Sequence, residues 1–376
     1  MVSKPKLTGL SGNEIYCMRL KGLTPSGVLV GNSIQSMGFL GGVRSAFRGI
    51  VGGEIPDVTQ MIHEGRAAAF KRMRAEADRE GVHGVVGVTS ELRSLGGNSE
   101  FLFVGSGVSG GTGTASFSSA GDAQELYCHM DAGYDPKEFV FGNIAYSVGA
   151  IGGLAGTLKT LVRGEIREFS DVFNETRHHA LDRLTRHARD SGANAVVGVR
   201  TTVLHFAGFH EMYMTGTAAY HASLSSSAAG PVTSDLTGEE LWGMTQLGYA
   251  PVKLLISTSV YSLGAVGGLK AAFAGLVRGE LSDLTKLIYE AREQVFDRIQ
   301  REAAQLNAEE VVGIKTYIVE LGPSLVEIFA VGTALRQQSG FSVQTPALPP
   351  QAIIRDKDTW VNGMHGFDSD SLRAGG

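Results

Sequence analysis

Few side chains in this 376-residue chain are able to do chemistry, and their spacing limits what they can do. Its two cysteines, Cys17 and Cys128, stand at the same place in the related segments "EIYCMRLKGLTP" and "ELYCHMDAGYDP"; a third such segment, "ELWGMTQLGYAP", has Gly243 there. A tetrahedral soft-metal site needs three or four converging Cys, His or carboxylate donors, commonly supplied as close pairs such as CxxC. No such pair occurs. The pattern favours small core residues, and Cys17 and Cys128 become ligands for a heavy-metal ion only where several copies gather their thiols around an axis. Histidines concentrate in the middle of the chain, at His178, His179, His187, His205, His210 and His221. His179 and His187 fall about 80° apart around a helix, a poor chelating geometry. His205 and His210 of "HFAGFH", in a hairpin loop, are the better candidate pair. With no GKS or GKT to complete a phosphate loop, no nucleophile elbow and no zinc-protease motif, we expect a protein that is not an enzyme.

The elements that would position these residues recur in three copies. "VGGEIPDVTQMIHEGRAAAFKRMRAEADREGVHGVVGV" begins at Val51, and related segments begin at Val162 and Val277. The similarity extends on both sides and defines repeats at 14–108, 125–221 and 240–336, with an N-terminal extension at 1–13 and a tail at 337–376. Segments 109–124 and 222–239 are rich in Gly, Ser, Ala and Thr, the composition of flexible tethers. Each repeat reads as strand, short glycine-rich helix, long helix, strand, strand. The long helix opens at Asp57, Ser170 or Asp283 as cap, carries an apolar stripe such as Val58, Ile62, Ala69, Met73 and Ala77, and stops at Gly81, Gly192 or Asn307. The strand after it, "VVG" at its centre, places a glycine where another backbone comes close. The expected fold class is α+β, three tandem βαββ two-layer domains, each with an additional short Gly-rich helix, whose exposed sheet edges favour assembly.

Charge recurs with the fold. Glu64 and Arg66, Glu175 and Arg177, and Glu290 and Arg292 repeat on the long helix, as do Arg72, Arg183 and Arg298, while Glu100, Glu211 and Glu327 open the last strand. Charges kept in divergent copies suggest a common structural task, most simply an ion pair across a domain or subunit interface. The short apolar helices carry paired glycines, Gly41 and Gly42, Gly152 and Gly153, Gly267 and Gly268, which permit close packing between subunits. A bilayer surface is the less favoured contact for them, because basic residues are few.

The order of "IVGGE" or "LVRGE", then "EGR", "ETR" or "EAR", then "GANAVVG" and a closing "GTA" resembles the YbjQ-like family, small bacterial proteins labelled heavy-metal-binding. The resemblance covers all three repeats. It implies a dodecin-like subunit fold and assembly of homo-oligomers into closed rings, typically pentamers, and no reaction. Glu54, Glu165 and Glu280 stand where that family commonly has Arg.

A formal charge of −5 and a pI near 6.1 argue against nucleic acid as a partner. Two cysteines and a start without an apolar h-region lead us to expect a cytoplasmic location. The tail has no period and is expected to be disordered, with Trp360 as a docking point for a protein partner.

Overall fold

A computed structural model describes residues 5–36, 53–110, 116–147, 164–206, 209–224, 230–262, 282–322 and 325–349. The glycine-rich segments with Gly41, Gly42, Gly152, Gly153, Gly267 and Gly268, and the tail around Trp360, lie outside the described residues.

Repeat 1 runs α1 (Gly12–Leu20), β1 (Leu23–Ser36), β2 (Gly53–Glu54), α2 (Pro56–Glu80), β3 (Gly84–Leu95) and β4 (Asn98–Gly110), followed by β5 (Phe117–Ser118). Repeat 2 runs α3 (Ala123–Asp131), β6 (Asp135–Ser147), β7 (Gly164–Glu165), α4 (Arg167–Asp190), β8 (Ala195–Phe206) and β9 (Phe209–Tyr220), with β10 (Val232–Thr233) behind it. Repeat 3 runs α5 (Gly238–Gln246), β11 (Tyr249–Ser262), α6 (Ser282–Gln305), β12 (Glu310–Gly322) and β13 (Leu325–Gln337). In every repeat the last long strand lies between the other two, antiparallel to both, and the long helix covers one face. The architecture is α+β, three tandem βαββ domains.

The long helices lie against their sheets because the stripe predicted from period 3.6 is buried: Val58, Ile62, Ala69, Met73 and Ala77 of α2 all face the core. The approach is close in repeat 2, where a methyl group on Gly142 would sit 2.2 Å from the Ala180 carbonyl oxygen and 2.6 Å from the Leu184 nitrogen, as one on Gly31 would sit 2.2 Å from the Ala69 carbonyl oxygen in repeat 1. Gly142→Ala should therefore push α4 off its sheet and lower stability by about 1–3 kcal/mol, read from urea unfolding. An unchanged midpoint would show that the helix can give way freely.

Several local expectations are corrected. Neither Asp57 nor Ser170 caps its helix; α2 and α4 start after Ile55 and Ile166, which lack side-chain caps, with Pro56 at the first position of α2. The "VVG" glycines Gly87, Gly198 and Gly313 have φ of 63°, 62° and 67° at shifts of strand register, so their backbone conformation, the left-handed one of a bulge, is what selects glycine. The short helices α1, α3 and α5 were not foreseen. Their signal is the capping box at Ser11 and Glu14, Asp122 and Glu125, Thr237 and Glu240. Cys17 and Cys128 thus sit on helices.

The connecting segments are not tethers where they are described. Phe117 and Ser118 add a parallel two-residue strand to β3, and Val232 and Thr233 do the same to β8. Small residues pack here because buried serines and threonines find partners: Ser119 Oγ lies 3.2 Å from Thr217 Oγ1. The start of the tail is also ordered, with Phe341 stacked on His221 at 4.3 Å between ring centres. The short helices, the strand ends beneath them and Phe341 form one apolar core shared by all three repeats.

Candidate functional site

Two junctions between repeats hold the charges singled out above. On β1 burial alternates, as in a sheet covered on one side. On β9, β11 and β13 almost every residue is buried, because the helix of the preceding repeat covers the second face of the sheet. Thus α2 packs on its own β1 and β4 and also on β6, with Phe70 5.4 Å from Phe139 between ring centres. In the same way α4 packs on β6, β9 and β11. The repeats meet helix on sheet face. Among the described residues no two long strands of different repeats pair within the chain; the two-residue strands β2 and β7 cross instead, at one end of the β6 and β11 edges.

At the centre of each junction lies a buried ion pair. Arg66 donates to Glu211 Oε2 at 2.8 Å and to Ser90 Oγ at 2.8 Å, with its guanidinium carbon 3.7 Å from the centre of the Tyr213 ring. Arg177 donates to both oxygens of Glu327, at 3.0 Å and 2.5 Å, and to the Tyr146 hydroxyl at 2.7 Å. Thr258 Oγ1 donates to Glu327 as well, at 2.8 Å. Both pairs are fully buried. Burial alone would lower the affinity of each guanidinium for its proton, but the facing carboxylate and tyrosine outweigh it and both arginines stay charged. The helix arginine of one repeat therefore pairs with the last-strand glutamate of the next.

Other predicted interface residues divide. Arg183 donates to the Asn143 carbonyl at 3.0 Å and to Glu54 at 2.6 Å, and Arg298 donates to the Thr258 carbonyl and to Glu165, each at 2.5 Å. Glu54 and Glu165, which replace the family's usual Arg, thereby link successive repeats. Arg72 donates to the Asn32 carbonyl within repeat 1. Glu64, Glu175 and Glu290 are exposed and do not face Arg66, Arg177 or Arg292; their nearest partners are Gln60, His179 and Lys286 on their own helices. Glu100 accepts from Asn32 at 3.3 Å. Two hydroxyls were missed: Thr59 Oγ1 receives the Ala145 N–H and Ser170 Oγ the Val260 N–H, each at 2.9 Å and each from the next repeat. Their recurrence at aligned positions, continued by Thr285, was the available signal.

A groove of about 810 Å³ opens beside the first junction between Pro56, Phe141 and His187. Two of its arginines are paired, Arg74 with Glu138 at 3.0 Å and Arg183 with Glu54, and Asp57 and Asp190 line it beside Lys71 and Arg186, so the groove is of mixed charge.

The metal candidates do not converge. Burial raises both thiols, aided by nearby carboxylates, with Cys17 near 11 and Cys128 higher, so each is held as a protonated core residue. Among the described residues no three His, Cys, Asp or Glu side chains form a metal-sized cluster. His205 Nδ1 does lie 2.9 Å from His210 Nε2 across the β8–β9 hairpin, and His210 stacks on Tyr146 at 5.3 Å. Burial, then the charges of His205 and Arg177, lower His210 to about 4.

Asp131 joins the short helices to the tail. It accepts from Lys21 at 2.9 Å, Trp242 Nε1 at 2.8 Å and Thr345 Oγ1 at 2.8 Å, one donor from each flanking repeat and one from the tail. Burial favours the protonated acid, but these three donors prevail and hold the carboxyl below its usual range. Asp131→Ala should strand the Trp242 N–H and cost about 2–4 kcal/mol, measured by thermal unfolding with Trp242 fluorescence as the probe. A loss below 0.5 kcal/mol, roughly the surface norm, would mean that water replaces the carboxylate.

Comparison with known proteins agrees with this architecture. A family profile described as "Putative heavy-metal-binding" matches residues 21–115, 134–222 and 248–338, about three quarters of the chain. The chain belongs to the YbjQ family. A relative from Mycobacterium tuberculosis, named "Encapsulin nanocompartment protein", is 30% identical over 225 residues, 56% of this chain and 83% of its own length. A "UPF0145 protein" of Methanococcus maripaludis is 43% identical over 83 residues, 22% of this chain and 74% of its own. Another, from Methanocella arvoryzae, is 46% identical over 61 residues, 16% of this chain and 51% of its own. The relatives thus include archaeal as well as bacterial proteins. No solved structure matched. No helix among the described residues is long and apolar enough to cross a membrane.

Proposed function

We propose that this YbjQ chain is a non-enzymatic, cytoplasmic assembly protein, a scaffold whose three repeats build a homo-oligomer. One observation carries the reading. The same helix-on-sheet junction, with the same buried Arg–Glu pair, is used twice in succession, so the repeat is a unit made to be joined in series. The Mycobacterium relative's name, a nanocompartment protein, supports an assembly role. Native mass spectrometry and light scattering at micromolar concentration should find more than one chain per particle. A strict monomer would overturn the reading.

A second reading takes up the family's description as heavy-metal-binding. The residues present fit it poorly: the two cysteines are protonated core groups, and His205 with His210 offers two donors where a soft metal needs three or four. Metal analysis of untagged protein tests it. Bound metal that disappears in a His205→Ala, His210→Ala variant would establish this site, and metal retained there would exclude the pair.

A further inference from the structure

The two internal junctions leave one end of each kind unused. Repeat 1 presents a sheet face with no helix on it among the described residues. The positions there that match Phe139, Phe141 and Ala145 of β6 and Leu254, Ile256 and Val260 of β11 are Val28, Val30 and Ile34. In β6 and β11 these side chains are buried; Val28, Val30 and Ile34 are 42%, 45% and 53% exposed. Between them on the central strand stands Glu100, the counterpart of Glu211 and Glu327, with no cationic partner among the described residues. At the other end, among the described elements, α6 packs mainly on its own sheet, on β11, β13 and β12. It presents Tyr289, 59% exposed, and half-buried Phe296 on either side of Arg292, which makes no ion pair among the described residues. These correspond to His63, Phe70 and Arg66 of α2, the residues that meet Asn143, Phe139 and Glu211 in the first junction.

Each unused end therefore lacks what the other supplies: an apolar sheet face with a lone carboxylate, and an apolar helix face with a lone guanidinium. We propose that a second copy of this chain docks head to tail, the outer face of α6 covering the β1–β4 face of repeat 1, with Arg292 pairing with Glu100 of the partner subunit. The proposal rests on the assembly reading and specifies its joint. Such a joint is heterologous, so it closes only when the rotations sum to a full turn. The described residues do not close the chain on itself, because both faces are open among them. Whole chains contribute three repeats each, so closed rings hold multiples of three repeats, and the smallest is a two-chain ring of six.

Cysteine pairing tests the joint without disturbing either fold, since Asn32 and Tyr289 are exposed. They match Asn143 and His63, whose side chains lie 3.3 Å apart in the first junction. In an Asn32→Cys, Tyr289→Cys double variant, mild oxidation should give covalent dimers and higher oligomers on denaturing gels, while each single variant stays a monomer there. The native thiols, buried, do not interfere. In parallel, Ile34→Glu or Arg292→Glu should raise the dissociation constant about a hundredfold or more at unchanged circular dichroism, because each places an unpaired charge in the joint. An equimolar mixture of Glu100→Arg and Arg292→Glu chains should reassemble, one joint being native and the other reversed in sign.

Multi-chain particles that neither cross-link nor respond to these substitutions would overturn the joint and leave the assembly reading standing. A wild-type monomer would overturn both. Cross-linking of either single variant would indicate a two-fold symmetric contact, which also refutes the head-to-tail joint.

Discussion

Arg177→Ala is expected to cost about 3–5 kcal/mol of folding stability, enough to leave repeats 2 and 3 poorly joined. The reason is what remains behind. Glu327, fully buried, would keep only the Thr258 hydroxyl as a near donor among the described residues, and the Tyr146 hydroxyl would lose its guanidinium. Taking both charges away is different. Arg177→Met combined with Glu327→Leu leaves no orphaned ion, and most of the loss should be recovered, because a buried pair contributes far less net than its breakage costs. Urea unfolding followed by circular dichroism measures all three proteins. Glu175→Ala, two residues away but exposed, should change stability by less than about 0.5 kcal/mol. If Arg177→Ala were as mild as Glu175→Ala, the ion pair would have no part in holding the repeats together.

Acid should also weaken the fold well above the range where surface carboxylates titrate. His129 is fully buried on α3, with neither ring nitrogen bonded to protein among the described residues. Burial, then the charge of Arg200, lowers it to about 3, while His210 falls to about 4. A histidine whose folded pKa lies below its unfolded value near 6.5 gives stability that is complete above the unfolded value and lost as pH falls toward the folded one. Between pH 7 and 5 each should cost about 2 kcal/mol. Asp131, held low, loses its contribution only below about pH 4 and does not enter this window. Asp122, Glu211 and Glu239, whose carboxyls burial pushes up, act in the opposite sense near the acid end. The comparison that isolates the effect is therefore wild type against His129→Leu, with denaturation midpoints at pH 7, 6 and 5. His63 and His221, also lowered by burial, act in the same sense, so the variant should lose about 2 kcal/mol of the dependence between pH 7 and 5 and keep the rest; identical slopes would mean that water reaches the His129 ring and protonates it in place.

Much of the fold could be read from the chain because it is written three times. Period 3.6 in α2, α4 and α6, and the glycine or asparagine that ends each, survive comparison of copies, and the βαββ order follows from them. The short helices escaped because nine residues carry little periodicity; their capping boxes were the surer sign. The connectors misled for a physical reason. Ser, Thr and Ala look like linker composition, yet Ser118, Ser119 and Ala120 are buried, because small side chains let one backbone lie against another and hydroxyls bond across the gap. The recurring arginines and glutamates were recognisable as a set, but not their partners. Arg66 meets Glu211, 145 residues away, and nothing local to either shows that the pairing skips from one copy to the next. The glycine-rich segments give no structural answer, as they lie outside the described residues.

The two-residue strands β2, β7, β5 and β10 bear on what happens when such a chain is cut. In repeat 2 they sit on both borders of the sheet, β2 along β6 and β10 along β8, and both come from outside residues 125–221. Excised alone, that repeat would lose the cover at one end of each border strand and expose Phe139, Phe141 and Phe209, and open strand edges beside an apolar face are where amyloid-like stacking starts. Tandem fusion thus acts as a guard against aggregation: each repeat is shielded by segments its neighbours donate, and proteolysis between repeats would release fragments prone to precipitate.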